Sequence, residues 1–181
     1  NKFLVRIPMP RGMLNTPLFD RHEPTQRNLE FWLCAAPYPG IGLNTHAVMR
    51  YGYGAIERKP SSPIFVDSQL MLIADAEGHN RRFFHDWVKM TVNYDMKGGI
   101  NPQTPVGTVG GNPMAPFELS YKREYAVDVN ILTFDDVGKQ NDSIILQEAY
   151  PTLTGEVSLT WGENQVMYFP VTMTHMNWYR E

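Results

Sequence analysis

The chain has 181 residues, 43% of them hydrophobic and 19% charged, which is enough for one domain with a buried core and ordinary for a globular protein. Its formal net charge of −3 excludes a dedicated nucleic-acid binder, which would show a basic excess. A single cysteine, Cys34, excludes an internal disulfide and a cysteine-based zinc cluster.

Residues 1–26 carry four prolines and no sustained periodicity, and they read as an extended arm or edge segment whose Phe3, Leu4, Val5 and Ile7 need apolar cover. The run RNLEFWLCAA (27–36) predicts a strand with Cys34 as a buried structural thiol, closed by the turn PYPG at 37–40. HAVMRYGYGAIER (46–58) is rich in strand formers but interrupted by Gly52 and Gly54, and KPSSPIF separates it from a further strand, VDSQLMLIAD (66–75). Residues 37–65 therefore predict a long, bent hairpin excursion.

A helix follows over about 77–92, with Asp75 as its N-cap and Asn80, Phe84, Trp87, Val88 and Thr91 on one face. Residues 93–116 are rich in glycine and proline and predict a long surface loop. In SYKREYAVDVNI (120–131) apolar and polar residues alternate, as in a strand with one wet face. FDDVGKQND is a polar turn. SIILQEAY and EVSLTW predict two strands parted by a turn at Pro151, Gly162 to Asn164 a hairpin connection, and VMYFPVTMTHMNWY a last strand with Met167, Phe169, Val171 and Met173 inward. Trp87 and Trp161 are expected in the core. The sum is mainly β: an antiparallel β-sandwich or barrel of about six or seven strands with one flanking helix, in one domain spanning 1–181.

Chemistry is hard to find in this sequence. GTVGGNP (107–113) lacks the Gly-Lys-Ser/Thr ending of a phosphate loop and does not lie between a strand and a helix. His79 and His85 are six residues apart, about 240° around a helix, so they do not share a face as metal ligands would. Ser62, Ser68, Ser120, Ser143 and Ser158 lack a nucleophile-elbow context, and His22, His46 and His175 have no partner identifiable along the chain. Asp135 and Asp136 sit in a turn, where aspartate is expected for backbone reasons. No catalytic residue, metal ligand or cofactor is expected. No apolar run reaches the roughly 20 residues of a membrane span, and the N-terminus lacks the pattern of a secretion signal, so synthesis in the cytoplasm is the expectation.

The C-terminal half carries Tyr150-Pro151-Thr152, Gly155-Glu156, Leu159 and Trp161, and the closing Phe169-x-Val171-Thr172. Ahead of it stands an acid–histidine helix start (Asp75, Glu77, His79) followed by Phe84, Asp86 and Trp87. In this order and spacing, residues 27–181 resemble the tail tube proteins of contractile-tailed bacteriophages of the T-even type. The resemblance implies a structural virion protein of the phage tail, forming hexameric rings that stack into a hollow tube. A contractile sheath would surround the tube, a baseplate would end it, and DNA would leave the capsid through it without being bound. The unmatched arm 1–26 and the expanded loop 93–116 leave open a baseplate protein that initiates the tube, and the fold that the resemblance implies is shared with the ring-forming tube proteins of type VI secretion, a third possibility.

Outside that resemblance, a β-sandwich module binding a glycan or peptide through its tyrosines and tryptophans, or an enzyme with a dispersed site, remains open. A DNA conduit should be neutral or acidic inside, so Glu124, Asp128, Asn130, Glu156 and Ser158 are the lumen candidates. Tyr38, Tyr51, Tyr53 and Ile64 of the excursion are the candidates for ring-to-ring stacking, because apolar residues on a projecting hairpin otherwise lack a reason to face water.

Overall fold

The structure is a computed structural model that describes residues 2–13, 33–49, 52–76, 78–94, 108–109, 112–113, 117–157 and 166–181. Its main sheet is antiparallel, barrel-like and nearly closed, as the alternating sequence predicted. The strands are β1 (Lys2–Arg6), β2 (Leu33–Ala35), β5 (Ser68–Ile73), β8 (Val127–Phe134), β9 (Gln140–Thr154), β10 (Tyr168–Thr174) and β11 (Asn177–Arg180). They run in the order β1-β8-β9-β10-β5-β2, with β11 also paired to β9. Two separate hairpins complete the strands: β3 (Ile41–Val48) with β4 (Glu57–Phe65), and the short pair β6 (Thr108–Val109) and β7 (Asn112–Pro113).

The long strand β9 joins the two halves of the sheet. Its first part pairs with β8 and β11, and its last residues pair with β10. Between them the ladder slips, and Glu148 takes φ 51, a left-handed conformation that costs a side-chain-bearing residue on the order of 1–3 kcal/mol. Two contacts hold it there. The Glu148 N–H donates to Asp128 Oδ1 at 2.9 Å, and Lys122 Nζ donates to the Glu148 carboxylate.

One apolar core fills the concave side. Phe169, Val171 and Met173 of β10 point into it, as their alternation requires, and meet Leu70 and Leu72 of β5 and Ile144 and Leu146 of β9. Helix α1 (His79–Thr91) closes the core with Asn80, Phe83, Phe84, Trp87, Met90 and Thr91 buried. Trp87 is fully buried, and its indole N–H donates to the Tyr125 carbonyl at 2.8 Å. The Phe84 ring lies 6.3 Å from that of Phe169, edge to face.

Several local expectations are corrected. Helix α1 is capped by Gly78 at φ 71 rather than by Asp75, whose carboxylate instead sits 3.1 Å from Nδ1 of His79. Val88 is only half-buried and Met167 is exposed. Residues 120–131 are not one strand: Lys122–Tyr125 form a helical turn, α2, before β8 begins. KPSSPIF is not a separator but most of β4, where Pro60 and Pro63 are tolerated because a two-stranded ribbon has a free outer edge. Pro151 does not break the chain either. The β8 ladder ends at Ala149, so beyond it one side of β9 is an edge that tolerates a missing donor. Cys34 is exposed, its thiol directed at the Met71 carbonyl at 3.1 Å. Trp161, the Gly162–Asn164 connection, residues 14–32 and most of the loop 93–116 lie outside the described residues.

Gly155, just past β9, shows why its position admits no side chain. Its N–H donates to the Pro170 carbonyl at 2.7 Å, and a Cβ there would collide with the Pro170 ring and sit 3.0 Å from that carbonyl oxygen. Gly155→Ala is expected to cost about 1–3 kcal/mol by overpacking. A urea midpoint equal to that of the parent chain would show that the contact yields freely.

Candidate functional site: assembly surfaces

The hairpin β3–β4 pairs from Ile41 opposite Phe65 to Val48 opposite Glu57, with a shift of register between Leu43 and Thr45. Eight residues of strand reach about 26 Å at 3.3 Å each. Along it Ile41, Leu43, Met49, Ile56 and Ile64 face solvent, and Tyr53 near the tip is 80% exposed. The tip turns through Gly52 and Gly54, whose φ values of 75 and 103 favour glycine. The base is fastened to the sheet: the Gly40 carbonyl accepts from the Val66 N–H and from the Trp178 indole, each at 3.4 Å. A lone two-stranded ribbon is marginal in water, and this one also presents apolar side chains that nothing described here covers.

The four stacking candidates do not form one patch. Tyr53 is at the tip and Ile64 near the base, while Tyr51 lies outside the described residues. Tyr38 precedes the hairpin, and its hydroxyl donates to the Asp142 carboxylate, which anchors it to β9. Asp142 also accepts from Arg180 Nε at 2.5 Å and from the Ser143 N–H at 3.0 Å. The Arg180 guanidinium holds the Asp142 carboxyl below its usual range.

The lumen candidates are likewise dispersed. Asp128 and Asn130 share a face of β8, where Asp128 accepts from the Glu148 N–H and Asn130 Oδ1 from the Ser143 hydroxyl at 3.2 Å. Glu124 belongs to α2, Glu156 is exposed on the segment after β9, and Ser158 lies outside the described residues. A feature that alternation alone missed is that β2, β5, β10 and residues 150–154 contain no ionisable acid or base other than Cys34 and the phenols of Tyr150 and Tyr168. One half of the sheet therefore shows solvent a face of threonine, glutamine and apolar groups. Among the described residues, β1, the edge segment expected from the first residues, and β2 end the sheet, and β11 is likewise paired on one side only.

His175, between β10 and β11, is buried against the Phe65 ring, with centroids 6.4 Å apart. Burial pushes its imidazole below 6.5, and the Asp67 carboxylate and the Met173 backbone act in the opposite direction. The unfolded chain then binds a proton more readily than the fold. Stability is full above the ordinary histidine value and falls as pH drops through it, levelling off below the folded value. Melting temperature against pH should thus decline more for the parent chain than for His175→Gln between about pH 7.5 and 5.5. Identical slopes would remove His175 as the cause; Asp86 and Asp142 are common to both proteins and cancel.

Among the described residues no group of three or more histidine, cysteine, aspartate or glutamate side chains is arranged to hold a metal, and no helix is long and apolar enough to cross a membrane. The model of a family described as phage tail tube protein matches residues 1–181. No curated protein matches the chain. Among solved structures, the fold is similar to a chain of the anti-feeding prophage baseplate, with a TM-score of 0.59 and 12% identity over 100% of this chain and 93% of that one. It is similar also to the sheath/tube terminator of an extracellular contractile injection system in its extended state, with a TM-score of 0.58 and 12% identity over 99% and 93%. The sheath–tube complex of such a system gives a TM-score of 0.54 and 12% identity over 99% and 88%. At these identities the likeness speaks to the fold alone.

Proposed function

The chain belongs to the phage tail tube protein family, and from that premise we propose that its copies close into hexameric rings and that these rings stack into the inner tube of a contractile tail. The observation that carries the reading is the hairpin Ile41–Phe65, which projects from the sheet with its apolar residues in water. Such a ribbon gains stability only when another surface covers it, and in a stacked tube the next ring supplies that surface. The edges of β1 and β2 add a second device. Open strand edges are a hazard to a monomer, whereas in a ring they extend the sheet from one subunit to its neighbour.

The lumen would carry DNA without holding it. Asp128, Asn130, Glu124, Glu156 and Ser158 would repel phosphate or stay neutral towards it, and the charge-free half of the sheet offers a wall with no cation to grip a strand. A sheath outside and a baseplate at one end complete the assembly, and the subunit's work is mechanical and not catalytic. Negative-stain microscopy of the purified protein at high concentration tests this. Long tubes support a tube body, isolated rings point to a baseplate initiator, and a monomer that never associates at any concentration rejects the proposal.

A further inference from the structure

Folding and stacking account for only part of the charge pattern of α1. At about 100° per residue, Arg81, Arg82, His85 and Lys89 fall opposite the buried Phe83, Phe84, Trp87 and Met90. That outward face holds only cationic or titratable basic groups, in a chain whose net charge is −3. Among the described residues Arg81 and Arg82 form no ion pair, whereas His85 Nε2 lies 2.7 Å from the Tyr94 hydroxyl and Lys89 has a contact of its own, so the two arginines are the groups left to recognise a partner. Asp86 lies at the flank, half-buried, and burial raises its carboxyl although His85, Lys89 and Arg82 pull it down. The basic residues of the neighbouring turn are engaged elsewhere: Lys122 holds Glu148, and Arg123 holds Glu124 at 3.1 Å.

We propose that the outward face of α1 docks an acidic protein segment on the exterior of the assembled tube, a proposal that rests on the tube reading. Arg81 and Arg82 lead the face, and Arg81, His85 and Lys89 follow one another at four-residue spacing over about 12 Å, a row that carboxylates at the same spacing on a partner helix would match. A cationic face turned into the lumen would brake the passage of DNA, so the face belongs outside. Helix α1 lies on the core side of the sheet, which directs its outer face away from the outward faces of the strands. A nucleic acid is the poorer occupant. Affinity for a duplex rises with the number of phosphates neutralised by lysine and arginine, and this face offers only three such residues with Asp86 at its border. A membrane surface would want an apolar border that Arg81, Arg82 and Lys89 do not provide.

The test uses the intact chain, the triple variant Arg81→Glu/Arg82→Glu/Lys89→Glu, and the milder Arg81→Gln/Arg82→Gln. The probe is a labelled helical peptide of about 15 residues with glutamates at four-residue spacing. Its binding is measured by anisotropy on the unassembled subunit and by co-sedimentation with tubes. Both variants should melt with the parent chain and form tubes as it does. The triple variant should bind the peptide at least about tenfold more weakly, and about 0.5 M salt should abolish parental binding. Unchanged affinity in the triple variant overturns the proposal. So does failure of the folded variants to form tubes, which would make this face a contact between copies. Tighter binding of a DNA duplex that displaces the peptide would overturn it in favour of nucleic acid. If the parent chain forms no tubes, the functional reading fails, while peptide binding by the subunit still decides whether this face recognises acidic protein.

Discussion

Removal of residues 44–62, with Leu43 joined to Pro63 through a short Gly/Ser turn, is expected to leave a folded subunit that no longer polymerises. The structure favours this cut because Leu43 and Pro63 are opposite one another in the ladder, so a two-residue turn spans the gap without strain. The contacts that fasten the base of the excursion to the sheet lie outside the deletion: Gly40 with Val66 and Trp178, and the Phe65 ring against His175. What is lost is the exposed apolar length, including Met49, Tyr53 and Ile56, which has no part in the core. Stacking would lose its anchoring side chains, and such anchors carry most of the energy of an interface. Circular dichroism checks the fold and negative-stain microscopy counts tubes. A folded deletion variant that still builds long tubes would take the hairpin out of the assembly.

Trp87→Ala is expected to cost about 3–5 kcal/mol, a large part of what a domain of this size has to lose. The indole fills the space between Phe83, Phe84 and the chain at Tyr125, so truncation leaves a cavity that α1 cannot close without shifting. It also orphans the Tyr125 carbonyl that its N–H satisfied, beside the turn that carries Lys122 to Glu148. Chemical denaturation of both proteins measures the difference. A loss below about 1 kcal/mol would mean that the helix is not packed on the sheet through this residue.

Most of the strands were legible because their physics is local. The alternation of Phe169, Val171 and Met173 fixes which face is inward, and Trp87 with Phe84 does the same at helical spacing. The errors arose where the deciding partner is distant in sequence. Pro151, Pro60 and Pro63 looked like breaks because proline removes a donor, but whether the donor was needed depends on which strand lies alongside. The turn at Lys122 follows from its bond to Glu148, 26 residues away, and no periodicity reports that. The excursion 37–65 was legible as a hairpin, while the four residues chosen on it do not form one patch. The ring of Tyr38 suits an interface, while its hydroxyl is committed to Asp142. The cationic face of α1 was visible in the sequence as Arg81, Arg82, His85 and Lys89, but its meaning depends on knowing that Phe83 and Met90, absent from the predicted face, are buried opposite.

The continuity of β9 has a mechanical consequence. Because one unbroken strand of 15 residues belongs to both halves of the sheet, a pull that separates the halves along that strand loads the β8, β10 and β11 ladders in shear. Many hydrogen bonds must then fail together, whereas a peeling force breaks them one after another. The kinked residue Glu148 sits midway along this member, clamped by Asp128 and Lys122, and it is where extension under load would begin. Single-molecule pulling along β9 should show one high-force rupture in the parent chain and a softer, earlier extension in Lys122→Ala.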